Sequence, residues 1–456
     1  VSHDAIVFIV PGQAVARRSA SGGVDAEPAG GLAGLDAEVR TAVRVGARRA
    51  GGATLRVEAV PDEDLVVLDL AGGPSLVLHP RTAYDLMRGQ GTATRRAAAD
   101  TGEVEVPATL RWRTLEHAAP TRSRGFLGDV LLRGLQVLRP RAAKLTAEKL
   151  RELIDGQVTT GLYRLDRAGL GSLKGAPPAT ADDLASASDG PLLILLHGTF
   201  VDTASTFAKL WAEHPGAVQR LFDHYGARVF AFDHPTLGDS PVANALALAR
   251  AMRRAPRGAR LHLATHSRGG LVAEVLARVC GQRGKLADEE LAHFAKPEAR
   301  AELAALAREL EGRDLVVERV VRVACPARGT LLASRRLDAY LSVLKWTLEL
   351  ARVPVAPQLV GFLAEVARQR RDPASLPGLA AMLPDSPLVQ WLNSAAATDD
   401  GAIGGELRVV AGDLKGDSLG SWVKTLLADA FFWTDNDLVV QTRSMYGGTP
   451  RAAGAS

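Results

Sequence analysis

Cysteine is nearly absent from this chain: 456 residues hold two, Cys280 and Cys325. No metal-type spacing joins them, so a disulfide-stapled scaffold and a thiolate metal centre are both excluded. A reducing compartment is favoured, although two cysteines still permit one bridge. Long apolar runs are missing too, and nothing approaches the roughly 20 consecutive apolar residues that span a bilayer. The opening V-S-H-D-A-I-V-F-I-V-P-G lacks a basic leader, and its apolar run, Ala5 to Val10, is too short for a signal core. Nor is there an excess of one charge. Lys plus Arg number 55 against 51 Asp plus Glu, a net +4 that does not indicate nucleic acid. The arginines that crowd one loop, Arg250, Arg253, Arg254, Arg257 and Arg260, read as a solvated surface. What remains is the composition of a globular protein, 47% hydrophobic and 23% charged, too long for one compact core. The expectation is a soluble, cytoplasmic protein with no metal, no cofactor, no nucleic-acid partner and no transmembrane segment.

Before residue 125, the runs L-R-V-E-A-V, D-L-V-V-L-D-L and S-L-V-L-H-P, separated by turn residues, predict a small β-containing domain. Residues 126–138 and 145–154 have helical spacing, and the stretch G-A-P-P-A-T-A-D-D-L-A-S-A-S-D-G reads as a linker, so 126–190 is expected to be a helical connector. From residue 191 to 456 the pattern alternates. L-L-I-L-L, V-F-A-F, L-H-L-A, V-V-R-V-A and L-R-V-V-A are strand-like runs separated by helical segments, which predicts an α/β domain with a mostly parallel sheet flanked by helices. Helical insertions are expected at about 282–314 and 335–400.

In such sheets the chemistry lies in loops at the carboxyl ends of strands. The stretch A-R-L-H-L-A-T-H-S-R-G-G-L-V-A-E-V-L changes from strand to helix rhythm at Ser267. A serine nucleophile must be exposed and fixed, and a sharp strand-to-helix turn with small neighbours does both. Gly269 and Gly270 suit that turn; Thr265 stands where glycine is usual. Leu271, Val272, Val275, Leu276 and Val279 form a stripe that would seat the helix. The alternative is a serine that merely caps the helix. Beyond L-L-I-L-L comes H-G-T-F, a glycine turn able to aim backbone N–H groups at a developing oxyanion, with Thr199 supplying one donor and Arg268 the other. Late in the chain, where a carboxylate at a strand end suits the role of triad acid, D-N-D-L-V-V offers Asp437, just before L-V-V, with Asp435 as the fallback.

Five segments in order, L-L-H-G-T-F, F-D-H-P-T-L-G-D-S, T-H-S-R-G-G, A-C-P-A-R-G-T and D-N-D-L-V-V-Q-T-R-S-M-Y-G-G, resemble those of α/β-hydrolases of the lipase and esterase type. A-C-P-A-R-G-T is similar to the T-P-H-R-G-S of bacterial lipases, with Ala327 in the histidine's place. Domains of this kind also occur fused to CHAT peptidase domains in bacteria. The resemblance covers residues 191 to about 450. It implies Ser267 as nucleophile and Asp437 as acid, with Asp233 and His234 shaping a loop beside the site and His197, Gly198, His266 and Gly269 in structural roles around it.

The family order is nucleophile, acid, histidine, yet the only histidine after Ser267 is His293, inside a charged helical segment. Two explanations stand. Either the base follows Ser456, with a further C-terminal domain or partner, or the domain has lost its base and serves as a binding or scaffold module. Removing a triad histidine costs around a million-fold in turnover, so this chain alone is expected to be nearly inactive. The apolar helices between residues 335 and 400 would suit a cap over an acyl chain, which implies as substrate a carboxylic ester with an apolar acyl group, lipid esters included.

Overall fold

The computed structural model of the chain describes residues 5–15, 32, 35–46, 54–71, 75–89, 102–111, 129–141, 146–330, 338, 342, 345, 357–369, 376–410 and 445–452. The chain divides into two units. The first comprises Val1–Thr146, Ser334–Asp372 and Leu414–Val439; the second comprises Ala147–Ala333, Pro373–Asp413 and Val440–Ser456.

Unit one is antiparallel. Strands β1 (Ile6–Ala14), β2 (Ala37–Val45), β3 (Thr54–Ala59), β4 (Leu65–Leu70), β5 (Ser75–Leu78), β6 (Glu103–Glu105), β7 (Thr109–Arg111) and β8 (Asp129–Pro140) form one sheet. Its order is β3-β1-β2-β8-β4-β5, with β6 beside β1 and β7 beside β8. Only the β1 and β6 pairing is parallel. The pleat sends alternate side chains to opposite faces, and in β1 this buries Ile6, Phe8 and Val10 while Val7 and Ile9 stay partly open.

Two expectations fail in this unit. Residues 126–138 were expected to be helical, but β8 runs through them between β2 and β4. Leu132, Leu135, Val137 and Leu138 are buried while Leu131 and Arg133 are exposed, and the register against β4 skips Arg133, with Leu132 opposite Leu70 and Gly134 opposite Asp69; that extra residue breaks the two-residue rhythm that would reveal a strand. The stretch at 335–400 was expected to cap the α/β domain. Instead its helix Pro357–Gln369 packs against β4 and β5, burying Phe362, Leu363 and Val366. Asp338 and Ser342 join it there, accepting from the backbone N–H of His79 at 2.8 Å and of Val77 at 2.9 Å.

Unit two carries β9 (Gly161–Arg164), β10 (Leu192–Leu196), β11 (Val229–Asp233), β12 (Arg260–His266), β13 (Val316–Val323) and β14 (Glu406–Val410), in the order β14-β13-β12-β10-β11-β9. All neighbours are parallel except β9, which runs against β11. Because β9 belongs to this sheet and Leu173 and Leu184 are buried, the supposed connector at 126–190 is divided: its later part is integral to unit two. The chain leaves β10 toward β11, then passes back across to β12 on the other side. That reversal places the sheet's topological switch point at the carboxyl end of β10, between the loops that follow β10 and β12.

The helix Gly269–Gly281 is buried from Gly269 to Cys280, on every face rather than along a stripe. Its two charged side chains must therefore be neutralised in place. Glu274 accepts from both terminal nitrogens of Arg451 and from the Thr449 N–H, with Arg322 at 3.4 Å. Arg278 donates to Glu290 and to the carbonyls of Trp391, Ser394 and Ala395.

Candidate functional site

Ser267 occupies the turn between β12 and the Gly269–Gly281 helix. Its N–H still pairs with the Val323 carbonyl at 2.8 Å, and then the chain reverses through a φ of +51°. Left-handed backbone costs a serine roughly 1 to 2 kcal/mol, so it persists only where the surroundings impose it. The surroundings here are glycines. A Cβ on Gly198 would lie 2.9 Å from the Ser267 Cβ, and one on Gly269 would lie 2.6 Å from the carbonyl oxygens of Leu196 and His197. The loop after β10 is thus pressed onto the serine turn, and only glycine allows the approach. A Cβ on Gly270 would strike Cys325 and sit 3.3 Å from the Thr265 hydroxyl. The room that Thr265 needs is left by the missing side chain of Gly270. Thr265 donates to the Val321 carbonyl at 3.1 Å, which satisfies its buried hydroxyl.

The capping alternative does not hold. Arg268, not Ser267, is the N-cap of the helix, and no side chain caps it. The serine is only partly buried, and its hydroxyl makes no hydrogen bond among the described residues. Two neighbouring strand ends are strained as well: Phe200, after β10, has φ +66°, and Ala324, after β13, has φ +53°.

The expected oxyanion donors lie on either side. The Phe200 N–H is engaged by the Thr236 hydroxyl at 3.2 Å, whereas the N–H groups of Thr199 and Arg268 have no acceptor among the described residues. The Thr199 hydroxyl faces the Met382 sulfur at 3.9 Å. Around that point lies the segment 377–382, within the 335–400 stretch and part of unit two. Gly378 donates to the Leu237 carbonyl at 2.9 Å and leaves no space for a Cβ beside the Thr236 carbonyl.

The histidines here are fixed and neutral. His197 Nε2 accepts from the His234 N–H at 3.1 Å, which puts its proton on Nδ1, 3.0 Å from the Gly198 carbonyl. His234 Nδ1 lies 3.1 Å from the Phe232 carbonyl, and the two rings stack at 4.1 Å. Burial pushes both pKa values down, for His197 against the pull of Asp233, and for His234 well below the imidazole range. Asp233 itself accepts from the Thr203 N–H at 3.0 Å and the Thr203 hydroxyl at 2.5 Å. His266, beside the serine, has a buried Nδ1 without a partner, and burial lowers its pKa to about 4.

The side chain of Arg268, expected to contribute only its backbone N–H, and Asp155, which the sequence reading left out, organise this end. The Arg268 side chain is fully buried and donates to the Asp239 carbonyl; burial lowers its pKa to about 10 while Asp155 and Asp239 oppose the shift. Asp155 ends the helix Ala147–Asp155 and accepts from the N–H groups of Thr236, Leu237 and Gly238 at 2.8, 3.0 and 2.6 Å. A carboxylate at a helix C-terminus opposes the helix dipole, and that misplacement was the signal available in the sequence.

Both cysteines are free and buried, with thiol pKa values pushed up to about 12, so they are inert. The arginine-rich loop is cross-paired: Arg253 with Glu309, Arg257 with Asp314 and Arg260 with Glu318. Asp437 and Asp435 lie outside the described residues. Among the described residues no cluster of metal-ligating side chains occurs, and no helix is long and apolar enough to cross a membrane.

Unit two is therefore a mostly parallel α/β unit with a strained serine at its switch point. By sequence the chain belongs to the family described as domain of unknown function DUF7379, which it matches over residues 161–309 and 299–455. No curated protein matches it. Solved structures similar to it include the mature form of the lipase BlEst2 from Bacillus licheniformis, at 15% identity over 57% of this chain and 81% of that one, with a TM-score of 0.31. EstA from Clostridium botulinum is similar at 13% identity over 69% and 88% of the two chains, TM-score 0.31. Phospholipase PlaB from Legionella pneumophila is similar at 14% identity over 50% and 41%, TM-score 0.27. Likenesses this distant establish neither a role nor a substrate for this chain.

Proposed function

We propose that unit two is a serine hydrolase of the α/β-hydrolase type, acting on carboxylic esters, lipid esters among them, through an acyl-enzyme. The observation that carries this reading is Ser267 at φ +51° on a strand-to-helix turn, its hydroxyl unbonded among the described residues, with the loop after β10 pressed against it. In this reading Ser267 Oγ attacks the ester carbonyl. The N–H groups of Thr199 and Arg268 hold the resulting oxyanion, and the start of the Gly269–Gly281 helix adds its dipole. Collapse expels the alcohol, and water later releases the acid. Asp437 is proposed as the acid that would orient the base.

None of the histidines around the serine suits the role of base. Both ring nitrogens of His197 face backbone partners, and a pKa near 4 leaves His266 too weakly basic at neutral pH. That observation favours a second reading, a binding module built on a hydrolase-like unit without its base. A fluorophosphonate probe, applied to the full-length natural protein, separates the two. The hydrolase reading expects covalent labelling that maps to Ser267 and disappears in Ser267→Ala; an unlabelled wild-type protein leaves the binding reading.

A further inference from the structure

At the opposite end of the same sheet, about 16 Å from Ser267 along β12, lies a cavity of about 710 Å³ that the hydrolase reading does not use. That volume falls within the range of small-molecule sites. Its apolar wall includes Ala277, Val316 and Val317, with Val316 45% exposed. Most of its charges are already satisfied. Asp314 pairs with Arg257 at 3.4 Å, Arg319 with Glu406 at 2.7 Å, and Glu318 with Arg260 and His262, both at 3.3 Å. The other His262 nitrogen meets the Tyr225 hydroxyl at 2.7 Å.

Arg283 is the exception. Arg283 is exposed and lines the cavity, and its guanidinium has no charged or hydrogen-bonding partner among the described residues. Its backbone is the second anomaly. Arg283 follows the Gly269–Gly281 helix in the left-handed position of a Schellman turn, with φ +53°, its own N–H on the Cys280 carbonyl and the Gly284 N–H on the Val279 carbonyl, both at 2.9 Å. Glycine is the residue that position favours. A strained arginine with a free charge at the wall of a half-apolar cavity is the kind of outlier that functional sites retain.

We propose that this cavity binds a small organic anion with an apolar body, Arg283 taking the anionic group and Ala277, Val316 and Val317 the body. The site is independent of the chemistry at Ser267. Octanoate, titrated calorimetrically into the whole protein, tests it beside octanol and inorganic phosphate, which each carry half of the required chemistry. Octanoate is expected to bind more tightly than either. Arg283→Gly, which suits the backbone and keeps the fold, is expected to weaken octanoate roughly ten- to hundred-fold, the worth of a charge-assisted hydrogen bond. Val316→Glu should weaken it by like-charge repulsion, and Ser267→Ala should leave it unchanged. Unaltered affinity in Arg283→Gly, equal binding of octanol or phosphate, loss of binding in Ser267→Ala, or no octanoate binding at all would each overturn the proposal.

Discussion

The two ends of the parallel sheet solve different problems with the same helix. At the carboxyl end, where Gly269–Gly281 begins, backbone presses on backbone, the histidines are buried and neutral, and the strained residue is Ser267. At the amino end, where the helix finishes, a cavity stands open, histidine is shared between Tyr225 and Glu318, and the strained residue is Arg283. The contrast shows that left-handed backbone alone does not identify chemistry. It takes on meaning from its neighbours: unpartnered N–H groups at one end, an unpaired cation at the other.

The largest effect that sharpens this contrast is pH. His266 holds a pKa of about 4 in the folded protein against 6.5 unpaired, so the unfolded chain takes up a proton that the folded one refuses. Stability present above pH 6.5 is then lost as pH falls toward 4, by about 3 kcal/mol in all. Burial also lowers His262 at the other end, but there Glu318 pulls the opposite way. Denaturant melts from pH 7 to 4 should therefore flatten markedly in His266→Gln and little in His262→Gln. Equal slopes in the two variants would break the distinction.

Packing comes next. Alanine at a helical glycine normally gains about 1 kcal/mol. At Gly269 it would meet two carbonyl oxygens at 2.6 Å, so overpacking wins and Gly269→Ala is expected to lose about 2 kcal/mol. Gly404, at the open cavity, has nothing within 4 Å of its would-be Cβ, and Gly404→Ala should stay within about 0.5 kcal/mol of wild type. Urea midpoints measure both. The smallest effect concerns the strained residues themselves. Ser267→Gly should exceed Ser267→Ala in stability by about 1 kcal/mol, and Arg283→Gly should exceed wild type by a similar amount. Unchanged melting temperatures would mean that neither backbone is strained in solution.

Much of unit two was legible because its signals are local. L-L-I-L-L reads as a covered strand whatever surrounds it, and T-H-S-R-G-G marks its turn by the glycines after the serine. Asp155 shows where legibility ends. It sits 81 residues from the loop it holds, and nothing near it in sequence names the partner beyond its awkward place at a helix end. Arg322 is similar: an arginine inside V-V-R-V looks like an edge residue until Glu274 and the carbonyls of Met445 and Gly447 are brought to it.

By itself, the sequence determined the alternation of strands and helices after residue 190, the serine turn and the small residues it requires, since each is set by neighbours within a few positions. Only the tertiary structure decided that residues 129–140 form a strand, that the helix Pro357–Gln369 packs on the antiparallel sheet, and that His197 and His234 are locked neutral. Those outcomes depend on burial and on partners distant in the chain, and the low-dielectric interior, not local propensity, sets their energies.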